Sequence, residues 1–156
     1  MPGTIGVAYE ELLLKFHDDD VDDDNVFSAE SLVLYLGKPF PSVYEIALSS
    51  ISSDGDGSSD DIDKSRVVMV GDALETDVTG ATVAGIDSIW VINNGIHNQD
   101  VVTAATSSIN TTSASSLSSL ENGCEMVLED FNQKSESTYA KGRQVSPTFV
   151  IPHFRW

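Results

Sequence analysis

The chain has 156 residues, 40% of them apolar and 21% charged, so it can bury one ordinary core and is not disordered throughout. Its 8 Lys+Arg against 25 Asp+Glu give a net charge of −17, which argues against nucleic acid or an anionic membrane as partner. No apolar run reaches the roughly 18 residues of a membrane span. Met1 to Gly6 carries neither a basic nor an apolar signal region, and the single cysteine, Cys124, cannot form an internal disulfide. The expected location is the cytoplasm.

In chain order, Glu10 to Phe16 is a short apolar patch, followed by the acidic cluster Asp18, Asp19, Asp20, Asp22, Asp23 and Asp24. Leu32 to Leu36 reads as a buried strand that ends at Gly37-Lys38-Pro39. Pro39 and Pro41 bar a helix until Ser42, which has capping-box spacing with Glu45; Val43, Ile46, Ala47 and Ile51 then fall on one helical face. Asp54, Asp56, Asp60, Asp61 and Asp63 form a second acidic cluster among Ser and Gly. Without the two clusters the net charge is −6, so the extreme acidity belongs to these segments and not to the fold. Val67 to Val70 is an apolar run of strand length closed by Gly71-Asp72. Thr76 or Asp77 can open the next helix, with Val78, Ala81 and Thr82 spaced to pack and Gly85 to stop it. Ile89 to Ile92 is another strand, ended by the turn-forming Asn93-Asn94-Gly95, and Thr103 to Ser119 is a Ser/Thr-rich stretch without a core pattern. Apolar strands alternating with helices predict an α/β fold with a parallel sheet, whose functional groups gather at the carboxyl ends of its strands.

Two segments carry candidate chemistry. Gly71 allows the tight turn that presents Asp72 at a strand end, and Asp77 lies five residues on, near a helix start that favours a carboxylate. The pair suits a Mg²⁺ site, and equally a turn residue and a helix cap. Lys38, between Gly37 and Pro39, could meet a phosphoryl oxygen as a compact charge or simply be solvated.

The segments Gly37-Lys38-Pro39-x-Pro41-x-x-Tyr44, Val68-Met69-Val70-Gly71-Asp72-x-Leu74-x-Thr76-Asp77-Val78-x-Gly80-Ala81 and Ala84-Gly85-Ile86-Asp87-Ser88, in this order, resemble the haloacid dehalogenase (HAD) superfamily. The likeness is closest to the subfamily with a large cap inserted between the second and third motifs (class IIA), and the ending Phe149 to Trp156 is similar too. It implies a three-layer Rossmannoid sheet and a Mg²⁺-dependent phosphatase acting on a small phosphorylated metabolite. Lys38 would neutralise the phosphoryl oxygens, Asp72 would ligate the metal, Asp77 would support the metal from behind, and Gly71 would present Asp72. Asn94 is a weaker substrate-side candidate.

The family's nucleophile motif, Asp-x-Asp-Gly at the end of a first buried strand, has no match here. Asp54-Gly55-Asp56-Gly57 comes close in letters, but Ser49 to Ser53 before it is no apolar strand and the order is wrong; as a Ca²⁺ loop it lacks the hydrophobic and final Glu positions. The expectation is a C-terminal portion of such a hydrolase: residues 1–36 as the cap-to-core return with an acidic insertion at 17–25, and residues 37–156 as the later part of the core with insertions at 52–63 and 103–119. Alone it should be inactive, with weak or no Mg²⁺ binding; the alternatives are a non-catalytic binding module, a half that pairs with an N-terminal half, or a partial gene product with no independent function, and the expected protein partner is an N-terminal half or further copies of the chain. His17, His97 and His153 lack metal-ligand spacing and read as solvated, Cys124 has no basic neighbour to activate it, and Asn110-Thr111-Thr112 is a glycosylation acceptor in form only.

Overall fold

The computed structural model describes residues 8–9, 11–13, 15, 35–51, 62–107, 116–134 and 142–155, and of residues 116 and 117 the backbone only. The acidic cluster at 18–24, the Asp54-Gly55-Asp56-Gly57 segment and Asn110 to Thr112 lie outside them. The chain divides into two compact units, Met1–Leu36 and Gly37–Trp156. In the first, residues 8–9, 11–13 and 15 are helical, with Tyr9 and Leu12 exposed.

The second unit holds a three-stranded parallel sheet. Strand β1 (Val68–Gly71) pairs with β2 (Asp87–Val91), Val68 opposite Asp87 and Gly71 opposite Trp90; β2 pairs with β3 (Phe149–Ile151), Ile89 opposite Phe149. The spatial order is β1-β2-β3, so β2 is central. Helix α1 (Pro41–Ile51) precedes the sheet. A π-turn (Leu74–Val78) running into α2 (Thr79–Ala84) joins β1 to β2, and α3 (Asn98–Ser107) and α4 (Ser116–Lys134) lie between β2 and β3. Leu74, Val78, Trp90, Ile92, Val101, Cys124 and Val145 form the core, with Leu120, Val127, Leu128 and Phe131 of α4 packed on it.

Several sequence expectations need correction. Tyr35 and Leu36 are not in a strand, and Leu36 is 66% exposed; residues 32–34 are outside the described set. Gly37 turns at φ 117° and Phe40 N–H donates to its carbonyl, so the chain bends into α1 directly after Leu36. A short apolar run by itself does not distinguish a strand from a segment that packs otherwise. Helix α1 starts at Pro41, a residue suited to a first turn, and buries Tyr44 and Leu48, not the predicted Ile46–Ile51 face, both of which are 58% exposed. Tyr44 decides the orientation: its ring lies where a Cβ on Gly80 would be, so only glycine lets α2 come this close.

The Ser/Thr-rich stretch is helical at both ends. Residues 103–107 complete α3 and residues 116–119 open α4. Thr103, Thr106 and Ser107 donate their hydroxyls to the carbonyls of Gln99, Val102 and Thr103, which keeps these side chains satisfied within the helix. Strand β3, which was not anticipated as a strand, is held by Thr148: its N–H donates to the Ser88 carbonyl and its hydroxyl to Asp87, while it accepts from Ser88 N–H. Asn132 of α4 clamps the segment before it, giving and receiving a 2.8 Å bond with the backbone of Val145.

Candidate active site

The site forms where β1 ends. Asp77, buried to 3% exposure in the π-turn, reaches back so that its Oδ2 accepts the N–H groups of Asp72 and Ala73, each at 3.1 Å. Its Oδ1 takes the Lys38 ammonium at 2.5 Å. The helix therefore begins at Leu74, ahead of the predicted Thr76 or Asp77, because this carboxylate caps the chain behind it and does not stand at the helix entrance. A Cβ on Gly71 would fall on the Asp77 carboxylate, so glycine here is needed for close approach as well as for the turn.

Asp72 is half-buried directly after β1. Its Oδ2 accepts the Ile96 N–H at 3.1 Å, and its carbonyl accepts the indole N–H of Trp90 at 3.2 Å. The loop after β2 thus grips the loop after β1, and Gly95 backs onto Asp72, where a Cβ would stand 2.9 Å from the Asp72 Cβ. Asn94, exposed and left-handed at φ 64°, shapes that loop. The structure brings Lys38, Gly71, Asp72 and Asp77 to one place; Asn94 sits on the adjoining loop.

His97 is not a solvated loop residue. Its side chain is 13% exposed, with Nε2 3.0 Å from Glu75, Nδ1 3.7 Å from Asp100, and its ring edge-on to Trp90. His153 lies 2.9 Å from the Asn93 amide. The available signal for His97 was its place right after the Asn93-Asn94-Gly95 turn, opposite the Asp72 loop; the carboxylates beside it come from the fold.

A family model described as HAD-hydrolase-like matches residues 35–120, more than half of the chain. The chain belongs to this family. No curated protein and no solved structure matches it. The α/β architecture of the described residues, a small parallel sheet with connecting helices, is consistent with a Rossmannoid fold of HAD type. Among the described residues no helix is long and apolar enough to cross a membrane.

HAD hydrolases generally use Mg²⁺, and the described residues do not make a cage for it. Both oxygens of Asp77 are taken by two amides and Lys38, which leaves Asp72 as the one carboxylate directed to the site. No group of three His, Cys, Asp or Glu among the described residues is placed to hold a metal. One carboxylate without a phosphate is a poor Mg²⁺ site.

Tyr44 ties α1 to this loop: its hydroxyl donates to the carbonyls of Thr76 and Asp77, at 3.3 and 3.4 Å. Burial, then the Asp77 charge, push its pKa up from 10.0 to about 12. The folded state thus keeps the phenol proton that the unfolded chain releases near pH 10, so stability is full below pH 10 and falls as pH rises towards 12. The expected loss is about 2 kcal/mol across that range. Urea midpoints at pH 9 and 11.5 should fall less in Tyr44→Phe than in wild type; parallel curves would contradict the assignment.

Proposed function

We propose that this chain supplies the lysine and metal-carboxylate half of a phosphoryl-transfer site, in a hydrolase of the large-cap (class IIA-like) kind acting on a small phosphorylated metabolite. The observation that carries the reading is the Lys38–Asp77 pair, locked by the Asp72 and Ala73 amides beside the free edge of the Asp72 carboxylate. Asp77 fixes the lysine, whose side chain is still 46% exposed and so can meet a phosphoryl oxygen. Asp72, steadied by Ile96 N–H, presents an oxygen on the same side of the strand ends. Such groups stabilise developing charge and do not attack phosphorus. The nucleophilic carboxylate would come from an Asp-x-Asp-Gly strand that this sequence lacks, as in a half-protein that needs a partner. Mg²⁺, when bound with phosphate, would neutralise the phosphoryl group next to Asp72.

Orthophosphate with millimolar Mg²⁺, followed by ³¹P NMR, tests the site directly. Weak binding that is lost in both Lys38→Met and Asp72→Asn is expected; binding indifferent to both substitutions would refute the assignment. The chain alone should show no Mg²⁺-dependent hydrolysis of p-nitrophenyl phosphate, since losing one member of a concerted catalytic unit removes several orders of magnitude of rate. Turnover abolished by Asp72→Ala would show that the nucleophile is present after all.

A further inference from the structure

Away from the strand-end site, α4 and the β2–β3 pair flank a half-open cavity of about 280 Å³, near the ~300 Å³ lower end of small-molecule pockets. Its helix wall is the i, i+4 row Leu120, Cys124 and Leu128, and its sheet wall is Val150, with the fully buried Trp90 behind it. Pro147, in the segment that Asn132 clamps, closes one side. These walls are largely apolar, so the space suits a hydrocarbon or aromatic body. The charged groups that line it are of one sign. Glu121 and Glu125, the next row on α4, line the cavity and are exposed, and neither makes an ion pair among the described residues. No Lys or Arg among the described residues lines it. Like charges four residues apart on a helix repel each other, and a cation placed at both relieves that repulsion.

We propose that this cavity binds a small organic ammonium ion, its single ring or branched apolar body against Leu128 and Val150 and its cationic head at Glu121 and Glu125. An anionic phosphorylated molecule is disfavoured by the same two carboxylates, so this site is distinct from the one around Lys38 and does not depend on that reading. Trp90 gives the occupant a route to the other site, because its indole N–H holds the Asp72 carbonyl. Cys124, with its pKa raised from 9.0 to about 11 by burial and then by Glu121 and Glu125, marks how apolar and negative the cavity floor is.

The test uses the full chain with Trp156→Phe, which leaves Trp90 as the sole indole. 2-Phenylethylammonium is the probe and 2-phenylethanol its neutral counterpart, read by Trp90 fluorescence and by titration calorimetry. The ammonium should bind saturably with Kd of about 0.1–1 mM, the range open to a ligand of this size. It should weaken in high salt. Glu121→Gln/Glu125→Gln, two exposed positions whose replacement leaves the fold intact, should weaken the ammonium about tenfold and leave the alcohol unchanged. Equal binding of the alcohol, an affinity blind to the two substitutions, or no saturable response up to about 10 mM would each overturn the proposal.

Discussion

Asp77→Ala should destabilise the chain by about 2–4 kcal/mol, the cost of stripping the Asp72 and Ala73 amides of their acceptor in a closed loop. The two amides matter more than the charge pair. Lys38 is 46% exposed and can be hydrated once its partner has gone, whereas Ala73 is buried and its N–H has nowhere else to turn. Asp77→Asn keeps an oxygen for the amides and loses the pairing with Lys38, so it should cost less, about 1–2 kcal/mol. Lys38→Met should cost about 1 kcal/mol or less, as expected for a half-exposed ion pair. Urea unfolding of the three variants reads this order. If Lys38→Met were as damaging as Asp77→Ala, the ion pair and not the amide clamp would be what holds the loop. For phosphate binding the order differs, since Lys38→Met removes the cation itself.

The difference between what the sequence made legible and what it hid follows from where the restraints come from. β1 and β2 were readable because Val67 to Val70 and Ile89 to Ile92 are apolar runs bounded by glycine turns, and their ends placed Asp72 and the Asn93-Asn94-Gly95 loop correctly. Val78, Ala81 and Gly85 were readable for the same local reason, a helical spacing with a stop. The buried face of α1 was not, because Tyr44 is drawn in by a gap above Gly80, thirty-six positions along the chain. The helicity at 103–107 was hidden by composition: Ser and Thr suggest a loop until their hydroxyls are seen bonding back one turn. Within the site, motif spacing located Lys38, Asp72 and Asp77 but not their division of labour. That Asp77 faces backwards onto two amides, and that a backbone N–H from Ile96 and an indole from Trp90 hold Asp72, are long-range facts with no local signature.

Gly71→Ala should cost nearly as much as Asp77→Ala, about 2–3 kcal/mol, although it adds only one methyl group. The new Cβ would occupy the place of the Asp77 carboxylate, and the residue is the last of β1, paired opposite Trp90, so the backbone cannot swing aside without breaking the parallel ladder. The carboxylate must move instead, which releases the two amides and Lys38 together. Because both substitutions break the same contacts, their effects should not add. In Asp77→Ala the place is vacant and a methyl on residue 71 fits, so the double variant Gly71→Ala/Asp77→Ala should be about as stable as Asp77→Ala alone, with a coupling of about 2–3 kcal/mol. Equilibrium unfolding of the four proteins in this cycle measures that coupling. A double variant destabilised by the plain sum of the two would mean that glycine at 71 serves the turn alone, and that the fit between Gly71 and Asp77 contributes nothing to holding the site.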